Sequence, residues 1–407
     1  MGQIVAQGEQ FETYIAADYR GQILRSGPDS GEIDAFGRLR VSAPFTLFDS
    51  TMRFDKRPDQ WYEVLSGSAS ATFLPYESSV ALSTTTASGD TALRRTKQYF
   101  PYQAGKSMSV LQSFVGNTPT AGLIQEVGYF DNNNGVMVRA SGTTIQFVIR
   151  SIASGTIQET TANQSDWNID TYPDLDFSKA QILINDLEWL GVGRVRCGFI
   201  VDGEVRYCHE FNHANVINSV YMQTAILPLS VRIHNDTAQS ASRTIKQICC
   251  SVLSEGGYEP DGATYSVAPP LVGLPNTSGE RLSCAIRMAS GRTGNIILPT
   301  KIDTAAVTSD VVIWRLRLNP TISGVSWTPA DNGRGNVETT VTGTFSGGTV
   351  VNLGMVSQGS AVNLSIDVAI RLALGTNASG VSDILALTVE SAVNSKAIAS
   401  LGWVEIV

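Results

Sequence analysis

Short runs in which apolar and polar side chains alternate recur along almost the whole chain, whereas the 3.6-residue spacing of an amphipathic helix is scarce. Bounded by Gly, Asn, Asp and Pro, such runs predict stacked antiparallel sheets. Clear cases lie at Val136–Val138, Ile145–Ile149, Val195–Val201, Thr339–Phe345 and Asn363–Leu374. In the run 311–318, VVIWRLRL, the set Val312, Trp314, Leu316 and Leu318 alternates with Ile313, Arg315 and Arg317, which predicts a strand with one buried and one partly charged face. Asp202-Gly203 separates Cys197–Val201 from Glu204–Cys208, and this dipeptide accepts the positive φ angles of a two-residue hairpin turn.

The pattern divides the chain. Residues 1–60 read as an extended attachment arm, with a short helix over 9–27. Strand signals are dense from 61 to 254 and include a Ser/Thr-rich stretch, Leu65–Leu93, that has no Lys or Arg. Residues 255–273 gather Gly and Pro without periodicity and read as a linker. Alternation resumes over 274–407 with smaller side chains, and no repeat of 20–50 residues is visible. The expected fold is all-β, with a sandwich in the middle, a second sandwich at the C-terminal end and an N-terminal arm.

Composition narrows the function classes. Of 407 residues only 16% are charged, against about 25% in an ordinary soluble protein, which disfavours disorder and coiled coil. The balance of 29 basic to 37 acidic residues gives a net charge of -8, so a phosphate-neutralising surface and a nucleic-acid partner are not expected. No window approaches the ~18 apolar residues of a membrane span, and the start carries no basic leader followed by an apolar stretch. Membrane insertion is therefore not expected. Met1-Gly2 hints at myristoylation, but Ala6 stands where the acylation pattern wants Ser or Thr. Five cysteines, Cys197, Cys208, Cys249, Cys250 and Cys284, show no paired zinc-ligand spacing and read as reduced and mostly buried.

Candidate chemistry is sparse. His209-Glu210-Phe211-Asn212-His213 matches H-E-x-x-H, which on a helix would set two imidazoles one turn apart on zinc. Here the string follows a hairpin strand, and Val216 and Ser219 stand where the extended metalloprotease pattern wants Gly and His. A third ligand would have to be Glu255 or Glu259, so the histidines are read first as hydrogen-bonded side chains at a strand end. Glu32-Ile33-Asp34 resembles the opening of the E-x-D-x-x-E strand of laminarinase-like glycosidases, but Phe36 and Gly37 follow and the third carboxylate is missing. Asp186 and Glu188 share a face at strand spacing, which two solvated carboxylates also do. No serine has Gly two residues before and after it, and Gly105-Lys106-Ser107 lacks the upstream Gly of a phosphate loop because position 100 is Phe. Asp131, Asn132, Asn133 and Asn134, followed by Gly135, offer oxygen ligands for a cation or a sugar, although this is first of all turn chemistry. No cofactor, catalytic set or metal is expected beyond these minority readings.

Two stretches carry a family resemblance. DAFGRLRVSAPFTLFDS (34–50) with RRTKQYFPYQAGKS (94–107), and the stretch from Trp167 to Asn215 continuing into YMQTAILPLSVRIHN (221–235), resemble structural proteins of tailed bacteriophages. The resemblance covers roughly 34–255 and none of 274–407. It implies a concanavalin-like, lectin-like jelly roll in the middle domain and a virion protein made in the host bacterial cytoplasm. It further implies self-association, by analogy as a trimer, and partners among the other tail or capsid proteins. The leading expectation is a non-enzymatic tail fibre, spike or baseplate-associated component that contacts the host, with capsid decoration as the alternative. A host-surface glycan is a further expected partner, with Trp167, Tyr172 and Trp189 as sugar-stacking platforms, although each reads first as a core residue.

Overall fold

The structure is a computed structural model and describes residues 16–17, 23–24, 33–38, 40, 44–259, 262–270, 279–292, 294–306, 311–356, 359–377, 379–391 and 396–406. It is all-β and its strand pairs are antiparallel. Cα proximity divides it into two compact units, Met1–Thr96 with Phe100–Tyr258, and Lys97–Tyr99 with Glu259–Val407. Near the N-terminus β1 (Ala16–Ala17) pairs with β2 (Ile23–Leu24), so the helix expected over 9–27 is not formed at these positions, and its other residues lie outside those described.

The first unit is a sandwich of two sheets. One runs β12 (Gln158–Asn163), β11 (Thr144–Ser151), β10 (Gly135–Ser141), β9 (Leu123–Phe130), β16 (Leu229–Asn235), β7 (Thr91–Thr96) and β4 (Trp61–Ser66). The other runs β15 (Glu204–Phe211), β14 (Val195–Val201), β13 (Ala180–Leu187), β8 (Met108–Val115), β17 (Arg243–Ser254), β6 (Ser79–Thr84) and β5 (Ser70–Leu74). The twelve residues of β17 organise this second sheet. Arg243–Gln247 pairs with β6, Cys249–Ser254 pairs with β3 (Phe45–Thr51), and β8 lies along its other side. Between the sheets the rings of Phe147 and Phe199 meet at 5.9 Å, and Gln112 donates to Gly128 O across the layer. Alternation aims the side chains: Leu183 and Leu187 of β13 face the buried layer with Phe199 and Val195, while Asp186 lies opposite Arg196 and Ser109 on the other face.

The second unit is also a two-layer sandwich. Four strands, β18 (Ala263–Val267), β29 (Ala397–Ile406), β20 (Ile296–Ala306) and β27 (Gly359–Asn363), face six: β23 (Thr328–Pro329), β24 (Val337–Thr340), β19 (Arg281–Met288), β28 (Ile384–Ser391), β21 (Val312–Leu318) and β26 (Thr349–Val356). Trp314, Leu316, Leu385, Leu387, Leu401 and Trp403 fill the layer between them. β22 (Thr321–Ser323) pairs with β25 (Thr344–Ser346).

Several expectations hold in detail. Val312, Trp314 and Leu316 are buried, while the alternate arginines are half-exposed and paired with Glu280 and Glu390. Asp202 and Gly203 take φ of 54° and 83°, the left-handed pair that a tight hairpin needs, and β14 pairs with β15 across them.

Three expectations need correction. Residues 45–51 of the expected arm are β3, a strand of the first unit, because Leu47 and Phe48 bury against the sheet. The expected linker 255–273 contains β18, paired with the C-terminal strand β29, since Thr264, Tyr265 and Val267 supply strand chemistry between the Gly and Pro clusters. Asn363–Leu374, read as a strand, turns into the short helix α1 (Ile366–Arg371), which begins one residue after Ser365.

Candidate functional site

Two constructions in the first unit gather the residues whose chemistry stands out. The first is a buried ionic cluster on the outer face of the sheet containing β13. Asp186 is fully buried and accepts on Oδ2 from Arg196 Nη2 at 2.5 Å, Arg40 Nη2 at 2.7 Å and Tyr207 OH at 3.0 Å, and on Oδ1 from Ser107 Oγ at 2.6 Å. Arg196, also fully buried, donates to Ile33 O and lies 4.0 Å from the centroid of the Tyr207 ring. Glu255 approaches Arg40 at 3.5 Å and accepts from Ser109. Burial opposes the charge on Arg40, but Asp186, Tyr207 and Glu255 outweigh it and raise its pKa. Burial also pushes Glu255 upward. The cluster ties the chain around 33–40 onto the sheet; Arg194 adds two bonds to Ala35 O. Sequence reading found Asp186, named Glu255 only as a candidate metal ligand and missed Arg40, Arg196 and Tyr207; the five are scattered over more than two hundred positions. The one available signal was Arg196, a charge on the outward register of a strongly apolar strand.

The second construction is a pair of loops. The loop 188–194 is closed by Glu188 N to Arg194 O, Gly193 N to Trp189 O and Arg194 N to Glu188 Oε1. The longer loop 212–222 is pinned to it. His213 Nδ1 lies 2.6 Å from Gly193 O, and its ring stacks on Tyr221 at 4.2 Å and 8°. Tyr221 N donates to Gly191 O, Tyr221 OH to Glu188 O and Trp189 Nε1 to Met222 O. Burial lowers the His213 pKa, so this pin is the neutral imidazole at neutral pH. With their polar groups joined to each other, the two loops turn Leu190, Val192, Val216, Ile217 and Val220 outward, at exposures from 37% for Val220 to 73% for Val216. Leu190 is held at φ 36°, in the left-handed region that a branched side chain avoids.

No family model and no curated protein matches the chain. Among solved structures, a glycoside hydrolase family protein from Mycobacterium thermorestibile is similar over 51% of this chain and 99% of its own, at 11% identity and a TM-score of 0.37. The CBM2 module of the evolved Dit of Lactobacillus casei BL23 phage J-1 is similar over 53% and 98%, at 9% identity and 0.37. The Emp47p carbohydrate recognition domain is similar over 52% and 97%, at 13% identity and 0.34. At these TM-scores the likeness extends to no residue.

The remaining sequence-named residues serve packing. His209 and Glu210 are neighbours on β15, so their side chains leave opposite faces and H-E-x-x-H forms no helical ligand pair. His209 is buried edge-on against Phe211, and Glu210 pairs with Arg194 and accepts from Asn212. Among the described residues no group of three His, Cys, Asp or Glu is placed to hold a metal. Asp34 pairs with Arg38, and Glu32 lies outside the described residues. Glu188 closes its loop, and Lys106 donates to Gln103 and Gly257 O.

Trp167 is core, a correction to its role as a platform. It is 8% exposed, stacks on Phe147 at 4.7 Å and donates to Ala162 O. Trp189 is half-buried, edge-on to Tyr102. Tyr172 is half-exposed, with the Arg206 guanidinium 5.4 Å from its ring centroid. The Asp131–Asn134 loop spends its oxygens internally: Asp131 Oδ1 accepts from Asn133 N and Asn134 N, Asn132 Oδ1 from Arg95, and Asn134 Oδ1 from Ile152 N and Gln223 N. The Asp131 bonds are those of a turn between β9 and β10, and the Asn132 and Asn134 bonds tie that turn to Arg95, Ile152 and Gln223. All five cysteines are free thiols; four are buried and Cys249 is half-buried.

Proposed function

We propose that this chain is a non-enzymatic structural protein of a tailed-bacteriophage virion that associates with itself and with other virion proteins. Its place in this reading is the tail, as a fibre, spike or baseplate-associated component in contact with the host surface, with capsid decoration as the alternative. The trimer is the expected oligomer, by analogy alone. The supporting observation is the contrast between the two constructions. The charged groups best suited to chemistry are buried and paired with one another and with Ile33 O, while the pinned loops present an aliphatic surface. A site built for catalysis keeps a titratable group open to substrate, whereas a scaffold spends such groups on rigidity and keeps apolar surface for its neighbours. The sequence resemblance over 34–255 supplies the particle. Mass spectrometry of gradient-purified phage particles tests the reading. Peptides from this chain at many copies per particle are expected, and their absence from infectious particles overturns it.

A second reading, glycan binding by the first unit, rests on Tyr172, whose half-exposed ring beside Arg206 and Asp170 is a stacking surface with hydrogen-bonding neighbours. A glycan array with binding lost in Tyr172→Ala supports it; an array without hits removes it.

A further inference from the structure

We infer that the aliphatic surface of the paired loops 188–194 and 212–222 is a self-association interface, where it meets the same surface of further copies of this chain around the symmetry axis of the oligomer. The inference deepens the self-association in the proposed function and does not depend on the particle in which it occurs.

The surface is preformed. Its two loops are joined by the His213–Gly193 and Tyr221–Gly191 bonds, the Tyr221 hydroxyl bond to Glu188 O and the Trp189–Met222 bond. Gly191 lies so close to Val220 that a Cβ there would stand 2.9 Å from Val220 Cγ1, which seats the two outward aliphatic sets side by side. Little conformational entropy remains to be lost when the surface is covered. Leu190 keeps its left-handed backbone where Asn would relax, so an apolar side chain is retained against local strain.

Extent and charge choose the occupant. Five exposed aliphatic side chains amount to a patch of a few hundred Å², larger than scattered surface apolars and about the size of the apolar centre of a standard interface burying ~800 Å² per partner. No Asp, Glu, Lys or Arg occurs from 189 to 193 or from 211 to 231. Where a surface meets itself about a symmetry axis, each residue approaches its own copy or that copy's neighbours, and any charge near the axis meets its like. An uncharged aliphatic centre satisfies that condition. A lipid surface would call for Lys, Arg or exposed aromatic residues on the patch, and none is there.

The test uses the full-length chain. Light scattering should find an oligomer at tens of micromolar, and Val216→Asp, at the most exposed position, should weaken it about tenfold or more with unchanged circular dichroism. Leu190→Asn should weaken association while leaving the melting temperature of the dissociated chain equal or higher. Val216→Cys should form an intermolecular disulfide on mild oxidation, and Thr143→Cys, at the far hairpin turn of β10, should not. A monomeric wild type, an oligomer that ignores Val216→Asp, or equal crosslinking at the two positions overturns the interface. A monomeric chain found at high copy in particles would overturn this interface and leave the virion reading standing.

Discussion

Replacing Asp186 by Asn removes one negative charge from a site where two guanidinium groups and two hydroxyls converge. The shape of the side chain is conserved, so the effect reports electrostatics and hydrogen bonding rather than a cavity. Asp186 and Arg196 are both at 0% exposure, so bulk water cannot replace the lost partner, and Arg196 then retains only Ile33 O and the Tyr207 ring. If the amide oxygen takes the Oδ1 place to keep the Ser107 bond, its NH2 faces the donors of Arg196 and Arg40; in the reverse flip the oxygen keeps the three donors that Oδ2 serves and the NH2 donates to Ser107 Oγ, but a neutral amide then faces two guanidinium groups. Removing one partner of a buried pair costs about 3–5 kcal/mol. For a unit of this size each kcal/mol moves the melting temperature by roughly 2–4 °C, so the first unit should melt about 10 °C lower. Differential scanning calorimetry should show that loss in the first unit's transition, and proteolysis around 33–40 should accelerate. The double change Asp186→Leu with Arg196→Met should recover part of the stability, since the fully buried Arg196 charge leaves with its partner and Arg40 keeps Glu255. A single-variant loss under about 1 kcal/mol, or a double variant as unstable as the sum of the two singles, would refute the reasoning.

Other expectations follow from the same geometry. Because burial lowers the pKa of His209 and of His213, the folded chain binds fewer protons there than the unfolded chain; their contribution is full above the ordinary histidine value near 6.5 and is lost as pH falls through it toward the folded values. NMR titration should place both imidazoles below 6.5, and His213→Ala should flatten the acid side of the stability curve. Trp167→Ala should cost about 3–5 kcal/mol in chemical denaturation, as a core truncation does, rather than remove a ligand from a stable fold. Burial pushes the Cys208 and Cys284 thiols up to about 12, so native protein should show at most the half-buried Cys249 to a thiol reagent at pH 8, and all five after denaturation.

The fold class was legible because strand alternation is local: VVIWRLRL buries Val312, Trp314 and Leu316 of the set its period names, with Leu318 half-buried at the strand end, and Asp202-Gly203 makes the turn its φ preferences allow. What escaped depended on partners distant in sequence. β18 is five residues between Pro and Gly clusters and becomes a strand only through β29, more than 130 positions away. Ile366–Arg371 alternates well enough to read as a strand, yet closes into one helical turn and a half. For the site, the histidines of H-E-x-x-H read first as hydrogen-bonded side chains, as His213 is, but its partners Gly193 and Tyr221, which make it a pin between loops, were not legible in the motif. The grouping of the ionic cluster was not legible either: Asp186 and Glu255 stood out singly, but Arg40, Asp186, Arg196, Tyr207 and Glu255 share no motif and meet only on the folded sheet.

Immunogold labelling of intact particles, with an antibody against the first unit, tests the central claim most directly. The account predicts repeated label on the particle, at the tail. Label confined to the capsid would move the protein to its alternative place, and particles that carry no label while the lysate holds free protein would contradict the claim.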